Sequence, residues 1–235
     1  MHKLVLGSGA IFFEHESDPI IDPIFDLMDR DRPRRMVYLP TAGHDDRSYE
    51  GAVDDYCCRH GFASSRSLYL TDETLSDDEI REAILSASVI YAGGGNLKFL
   101  LETWRRRGAD KYLRQAYDNG TVIAGQSSGA MCWCAHGYDN CGKDGRFMFL
   151  DALGFIPYVL CPHFEDWPEF LENVKLQEYD AIGVDNDIAL VLVEGEYTVL
   201  DNGLNPRHSA YFMPAQEDWA VHDIVKEHYP IRFRQ

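Results

Sequence analysis

Apolar residues along this chain come in short blocks, punctuated by glycine, proline and runs of charge. Leu4-Val5-Leu6 closes on Gly7-Ser8-Gly9 and reads as a first strand. Ile20 to Met28 spaces its apolar residues as a helix does. Met36-Val37-Tyr38-Leu39, stopped by Pro40, predicts a second strand, and residues 47–60 predict a helix with Gly61 as its C-cap. Ser67 to Leu70 predicts a third strand. Ser76-Asp77-Asp78-Glu79 is a capping box that opens a helix over 77–87. Val89-Ile90-Tyr91 is a fourth strand that ends on Gly93-Gly94-Gly95. Helices follow over 96–107 and 109–118, broken near Gly108, and Thr121 to Ala124 is a fifth strand.

Strand and helix alternating with short connections predict right-handed crossovers and an α/β fold, a mostly parallel sheet with helices on both faces. The last third differs. Ile188–Val193 and Tyr197–Leu200 flank Glu194-Gly195-Glu196, with Asp201-Asn202-Gly203 as a further turn, which predicts a C-terminal antiparallel hairpin extending the sheet. With no internal repeat, low-complexity tract or long linker, one domain over 1–235 is the simplest organisation. In such a sheet ligands bind beyond the carboxyl ends of the strands, so the glycine-rich turns at 93–95 and 125–129 should open on one rim.

Composition narrows the function classes. Hydrophobic residues are 45% and charged residues 26%, ordinary for a globular protein, and no apolar run reaches the length of a membrane span. The apolar stretch at the N-terminus is too short for a signal peptide, which predicts a cytoplasmic protein with no membrane partner. A net charge of −17 argues against binding a nucleic-acid backbone. Two arginine clusters, Arg30, Arg32, Arg34, Arg35 and Arg105, Arg106, Arg107, fall at predicted helix ends, where they complement the dipole. The six cysteines contain no pair of CxxC motifs, against a structural zinc site. Cys132, Cys134 and His136 alternate, but a helix over 129–136 would turn the two thiols in different directions, so buried free thiols are expected and no metal.

The chemistry starts from Thr121-Val-Ile-Ala-Gly-Gln-Ser-Ser-Gly129. A β-branched strand running into Gly-x-Ser-x-Gly is the form of a nucleophile elbow, with Ser127 on the turn, Gly125 and Gly129 where backbones approach closely, and the Ser128 N–H aimed at a developing oxyanion. A serine needs a base. His163 follows the strand-like Tyr158-Val159-Leu160, while His136 lies on or just past the elbow helix and His44 follows another strand end. Gly93-Gly94-Gly95-Asn96 lacks the residues of a P-loop, which leaves it to supply a second oxyanion N–H. Gly94 and Asn96 are then substrate contacts, or Asn96 is a helix cap.

Three motifs in order, Ala-Gly-Gly-Gly-Asn, Gly-Gln-Ser-Ser-Gly-Ala-Met-Cys-Trp and Cys-Pro-His-Phe, resemble those of the dipeptidase E and cyanophycinase family of serine peptidases. The similarity runs nearly end to end, from Tyr38-Leu39-Pro40-Thr41-Ala42 to the closing hairpin. It implies a fold like that of class I glutamine amidotransferases, Ser127 as nucleophile, His163 as general base, and the N–H groups of Gly95 and Ser128 as oxyanion hole. Family members commonly carry alanine where this chain has Ser128. The family places an acid between the serine and the histidine. Asp139 is the choice here, with Asn140 and Asp144 as alternatives.

The resemblance also implies release of an N-terminal aspartate from short peptides, with a small peptide as partner, no cofactor, and a monomer or homodimer. A cyanophycin-type β-aspartyl–arginine substrate, a non-peptide ester or amide, or a non-catalytic binding role are the other readings. An aspartate side chain asks for a cation, for which Lys143, Arg146 and Lys175 are candidates, and its ammonium asks for an acid, for which Asp185 and Asp187 are candidates. Residues 137–150 are the candidate lid.

Overall fold

The computed structural model describes residues 1–9, 13, 18–229, 233 and 234, with Lys143 described by its backbone. The main sheet is built from β1 (Lys3–Gly7), β2 (Arg35–Leu39), β3 (Ser64–Ser67), β4 (Val89–Ala92) and β5 (Val122–Gln126). The chain then builds β6 (Cys134–Asp139), β7 (Met148–Asp151), β8 (Ile156–Pro162) and β9 (Ala181–Val184). It returns to the main sheet as β10 (Ile188–Val193) and β11 (Glu196–Asp201), and ends with β12 (Ala210–Met213) and β13 (His222–Asp223). The main sheet has the order β11-β10-β1-β5-β4-β2-β3. Its five N-terminal strands pair in parallel and the β10–β11 hairpin adds antiparallel to β1, as the sequence predicts.

Period-two alternation divides the strands between two layers. Leu4, Leu6, Val37, Leu39, Ile90 and Ile123 face α3 (Asp77–Ser86), α4 (Leu97–Arg107) and α5 (Ala109–Asp118). Val5, Met36, Tyr38, Val89, Tyr91 and Val122 face α1 (Ile21–Asp26) and α2 (Glu50–Arg59). Full burial of both faces explains why these strands read as continuous apolar blocks.

Two expectations are corrected. The third strand is Ser64–Ser67, not Ser67–Leu70. It is an edge strand, paired with β2 alone, so its polar residues tolerate the position, whereas Leu68 and Leu70 are buried in the core beneath it. Arg107 holds that descending loop, donating to the carbonyls of Leu70, Asp72 and Leu75 at 2.6–2.9 Å. The elbow helix α6 (Ser128–Met131) is a single turn, not a helix reaching 136. Trp133 is then buried between Trp104 and Phe155, and Cys134 already starts β6.

The second sheet, order β13-β12-β9-β8-β6-β7, is not anticipated by the sequence reading. One face joins the core under α4 and α5 through Ile156, Tyr158, Leu160 and Ile182. The other packs Tyr138, Val159 and Cys161 under α7 (Phe170–Val174). His136 and residues 137–139 therefore lie on β6, and the segment proposed as a lid, 137–150, is the end of β6, the connection over 140–147 and most of β7.

Candidate active site

The elbow is held by contacts that admit no side chain. A Cβ on Gly125 would overlap the carbonyl of Gly129, and one on Gly129 the carbonyl of Ala92. Ser127 adopts φ 51°, ψ −123°, a strained conformation for a residue with a Cβ, and its N–H donates to Gly7 O at 3.0 Å. The result projects Oγ over the carboxyl ends of β1, β4 and β5.

His163 reaches the same rim from the end of β8. Its backbone is also left-handed, φ 54°, and its N–H donates to Ser8 Oγ at 2.7 Å. Gly9 lies against the imidazole, where a Cβ would overlap the ring and the Asn186 side chain. His163 Nε2 is 3.0 Å from Ser127 Oγ, and His163 Nδ1 is 2.6 Å from Asn186 Oδ1.

The orientation of that amide fixes the imidazole tautomer. Asn186 Nδ2 donates to Asp166 Oδ2 at 3.2 Å, and a carboxylate can only accept. Oδ1 is therefore the atom turned to the ring, Nδ1 carries the proton, and Nε2 is free to accept from the serine hydroxyl. The Asn186 N–H in turn donates to the Glu165 carboxylate at 2.9 Å. Behind it, buried Asp185 accepts from Ser209 N and the Tyr211 hydroxyl, both at 2.9 Å. Burial and the neighbouring Glu165 push the Asp185 carboxyl up to about 6.

Asp139, expected as the orienting acid, is not at the imidazole; Asn186 occupies that position. Asp139 is buried at the end of β6, where it accepts from Leu97 N at 2.8 Å and lies 3.3 Å from Ser128 Oγ. Asn140 lines the cleft and Asp144 is exposed, and the imidazole contacts are made by neither. Ser128 Oγ donates to Gly95 O at 2.6 Å, clasping the glycine turn to the elbow. Gly95 has φ +142°, and a Cβ there would overlap the Ala42 carbonyl. Gly94 packs against Ser127, where a Cβ would meet its Cβ at 3.2 Å. Asn96 is a helix cap: its Oδ1 accepts from Phe99 N at 2.9 Å.

The other candidates lie elsewhere. His136 pairs with Asp151 at 3.0 Å, and His44 packs on Phe99. Lys175 pairs with Asp218, Arg146 is exposed, Asp187 accepts from Asn202, and the Lys143 side chain lies outside the described part. Cys132, Cys134 and Cys161 are buried free thiols, pushed up by desolvation. Among the described residues, no group of three or more His, Cys, Asp or Glu could hold a metal ion, and no helix is long and apolar enough to cross a membrane.

Gly95, Ser127, Ser128, Asp139 and His163 line one cleft of about 180 Å³, together with Met131, Tyr138, Phe147 and Trp167. A serine bonded to an imidazole, itself oriented by an acceptor and faced by backbone at a glycine turn, is equipped for acyl transfer.

The model of peptidase family S51 matches residues 4–200. The chain belongs to that family. It is 30% identical over 167 residues to the uncharacterized peptidase YgaJ of Bacillus subtilis (strain 168), covering 69% of this chain and 68% of that protein. It is 25% identical over 182 residues to the uncharacterized peptidase PM1590 of Pasteurella multocida (strain Pm70), 74% and 83% of the two chains. In fold it is similar to a Listeria monocytogenes EGD-e protein described as peptidase E, with TM-score 0.62 and 22% identity over 86% of this chain and 98% of that one. This S51 chain is thus a serine-type peptidase with an α/β fold, as the sequence resemblance implies.

The S51 residues that the sequence reading missed are Asn186, Ser8 and Gly9. A signal for the last two was present: Gly7-Ser8-Gly9 ends a strand at the same rim as the two glycine turns. Asn186 sits in Asp-Asn-Asp, which reads as an ordinary turn.

Proposed function

We propose that this S51 peptidase releases the N-terminal residue of short peptides through an acyl-enzyme on Ser127. The observation that carries the reading is the chain of contacts Ser127 Oγ, His163, Asn186. His163 Nε2 takes the hydroxyl proton as Oγ attacks the scissile carbonyl. The N–H groups of Gly95 and Ser128 receive the oxyanion, each worth about 3–4 kcal/mol in the transition state. The imidazolium, held by Asn186 Oδ1, then gives its proton to the leaving amine. Water then attacks the acyl carbonyl, losing a proton to Nε2, and the imidazolium returns that proton to Ser127 Oγ as the C–Oγ bond breaks and the acid leaves.

Asn186 orients the ring as an aspartate would, but without a full charge to stabilise the imidazolium. The two carboxylates bonded to Asn186 supply negative potential one step further out. The aspartate preference implied by the resemblance would need a cation beside the cleft. The described lining side chains include no lysine or arginine, so the reading best supported is an exopeptidase of broader N-terminal choice. A cytoplasmic setting and a small peptide partner belong to the same reading, and the six free cysteines support that setting.

The test is fluorophosphonate labelling of wild type and Ser127→Ala, alongside turnover of aspartyl- and leucyl-p-nitroanilide. Labelling and turnover that both vanish in Ser127→Ala support the reading. Folded wild type that neither labels nor hydrolyses either substrate refutes it and leaves a binding protein on this fold.

A further inference from the structure

Asp139 is left without a part in the proton chain, yet it is a buried carboxylate in the wall of the cleft. Its contacts are neutral groups: it accepts from the Leu97 N–H, and its Oδ2 lies 3.3 Å from the Ser128 hydroxyl oxygen, whose proton goes to Gly95 O. Burial pushes its carboxyl up, opposed only by Leu97, Asn140 and Ser128. A desolvated carboxylate of this kind is stabilised by any cation that enters the cleft with it.

Its location says which cation. In an N-terminal residue the ammonium nitrogen is two bonds from the carbonyl carbon, about 2.5 Å away. Whatever meets that ammonium must stand next to the oxyanion donors. Asp139 does, because it contacts the side chain of Ser128, whose own N–H is one of those donors. Apart from Asn140, the rest of the wall is formed by the aromatic, aliphatic and thioether side chains of Met131, Tyr138, Phe147, Pro162 and Trp167. Phe147 and Trp167 pack at 4.3 Å between ring centroids, and Tyr138 stacks on Phe147 at 4.9 Å, with Met131 beside them. About 180 Å³ admits one residue and little more.

We propose that Asp139 binds the α-ammonium of the residue whose carbonyl Ser127 attacks, while Met131, Phe147 and Trp167 receive that residue's apolar side chain. The substrate class is then peptides with a free, non-acidic N-terminal residue. A blocked N-terminus leaves Asp139 buried and unpaired, and an acidic side chain brings a second carboxylate towards it. This assignment rests on the serine-peptidase reading above.

Three measurements separate the two. Wild type should hydrolyse leucyl-p-nitroanilide well, aspartyl-p-nitroanilide poorly, and N-acetyl-leucyl-p-nitroanilide hardly at all. Asp139→Asn keeps an oxygen for the Leu97 N–H but loses the charge. Its kcat/KM on the leucyl substrate should fall by at least about 30-fold, the lower end of the loss when one member of a desolvated charge pair is removed. Labelling of Ser127 in the variant checks that it has folded. In wild type alone, leucinamide should protect Ser127 from the fluorophosphonate and N-acetyl-leucinamide should not. Equal turnover or protection by the acetylated compounds, a preference for the aspartyl substrate, or an unimpaired Asp139→Asn would overturn the assignment while leaving the nucleophile in place. Absence of labelling altogether would instead strike at the peptidase reading and take this one with it.

Discussion

Replacing Asn186 by alanine isolates the role of the amide behind the imidazole. The lost contact is the 2.6 Å bond from His163 Nδ1 to Asn186 Oδ1. As Ser127 gives up its proton the ring becomes cationic, and a hydrogen bond from a charged donor is worth about 1.5–3 kcal/mol. An unanchored ring also gains up to three staggered χ1 wells in place of one, about 0.65 kcal/mol from RT ln 3. Together these raise the barrier by about 2–3.5 kcal/mol, or about 30- to 400-fold in rate. The second-order rate of fluorophosphonate labelling is the right assay, since it needs an activated serine and no bound peptide. Asn186→Asp keeps an acceptor at the same place and should recover most of the rate, although it forfeits the donation to Asp166. An alanine variant labelled within threefold of wild type would show that the ring is oriented by something else. Equal losses in the alanine and aspartate variants would reduce Asn186 to a packing residue.

Gly9→Ala should disable the site with little effect on the fold, because its Cβ would push the imidazole away from Ser127; labelling should fall by about 100-fold, the loss typical of a displacement near 1 Å. Gly125→Ala should instead damage folding, at about 3 kcal/mol, since its Cβ meets the backbone of Gly129; a melting scan should show Tm lower by about 6–12 °C. Asp185 predicts a pH effect on stability. Its folded carboxyl titrates at about 6 against an ordinary 3.8, so the folded chain holds a proton the unfolded chain has lost, and stability falls as pH rises through that window. Asp185→Asn removes the effect: its urea midpoint should exceed that of wild type at pH 7.5, with the gap closing near pH 4, and a gap constant with pH would contradict the account.

What could be read from the sequence follows from what the residues do locally. The inner strands of the main sheet, β10, β1, β5, β4 and β2, are apolar on both faces and announce themselves, and Gly125 and Gly129 mark the elbow because the backbones there leave no room for a Cβ. The third strand is hard to place from sequence because Leu68 and Leu70 have the character of strand residues while serving the core from a loop. The second sheet was invisible because strands such as Cys-Ala-His-Gly-Tyr-Asp mix polar and apolar residues without period. Asn186 was beyond reach for a different reason. It meets His163 from 23 residues further along, on the bend between β9 and β10, so its role exists only through tertiary placement. Asp139 lies between serine and histidine in sequence, as the resemblance asks, but the end of β6 directs it to Leu97 and Ser128.

Ser127 and Gly95 lie just past strands of the main sheet, His163 just past a strand of the second sheet, and Asn186 stands where the chain crosses from one to the other. The proton path is therefore a seam. A small sliding of one sheet over the other would silence the peptidase while both sheets stayed folded, so activity is a more sensitive gauge of their mutual registry than any melting curve. The converse also holds. A phosphonyl group bonded to Ser127 and gripped by the imidazole acts as a cross-brace, and its first mechanical effect should be slower amide exchange in β8 and β9, remote from the bond that was made.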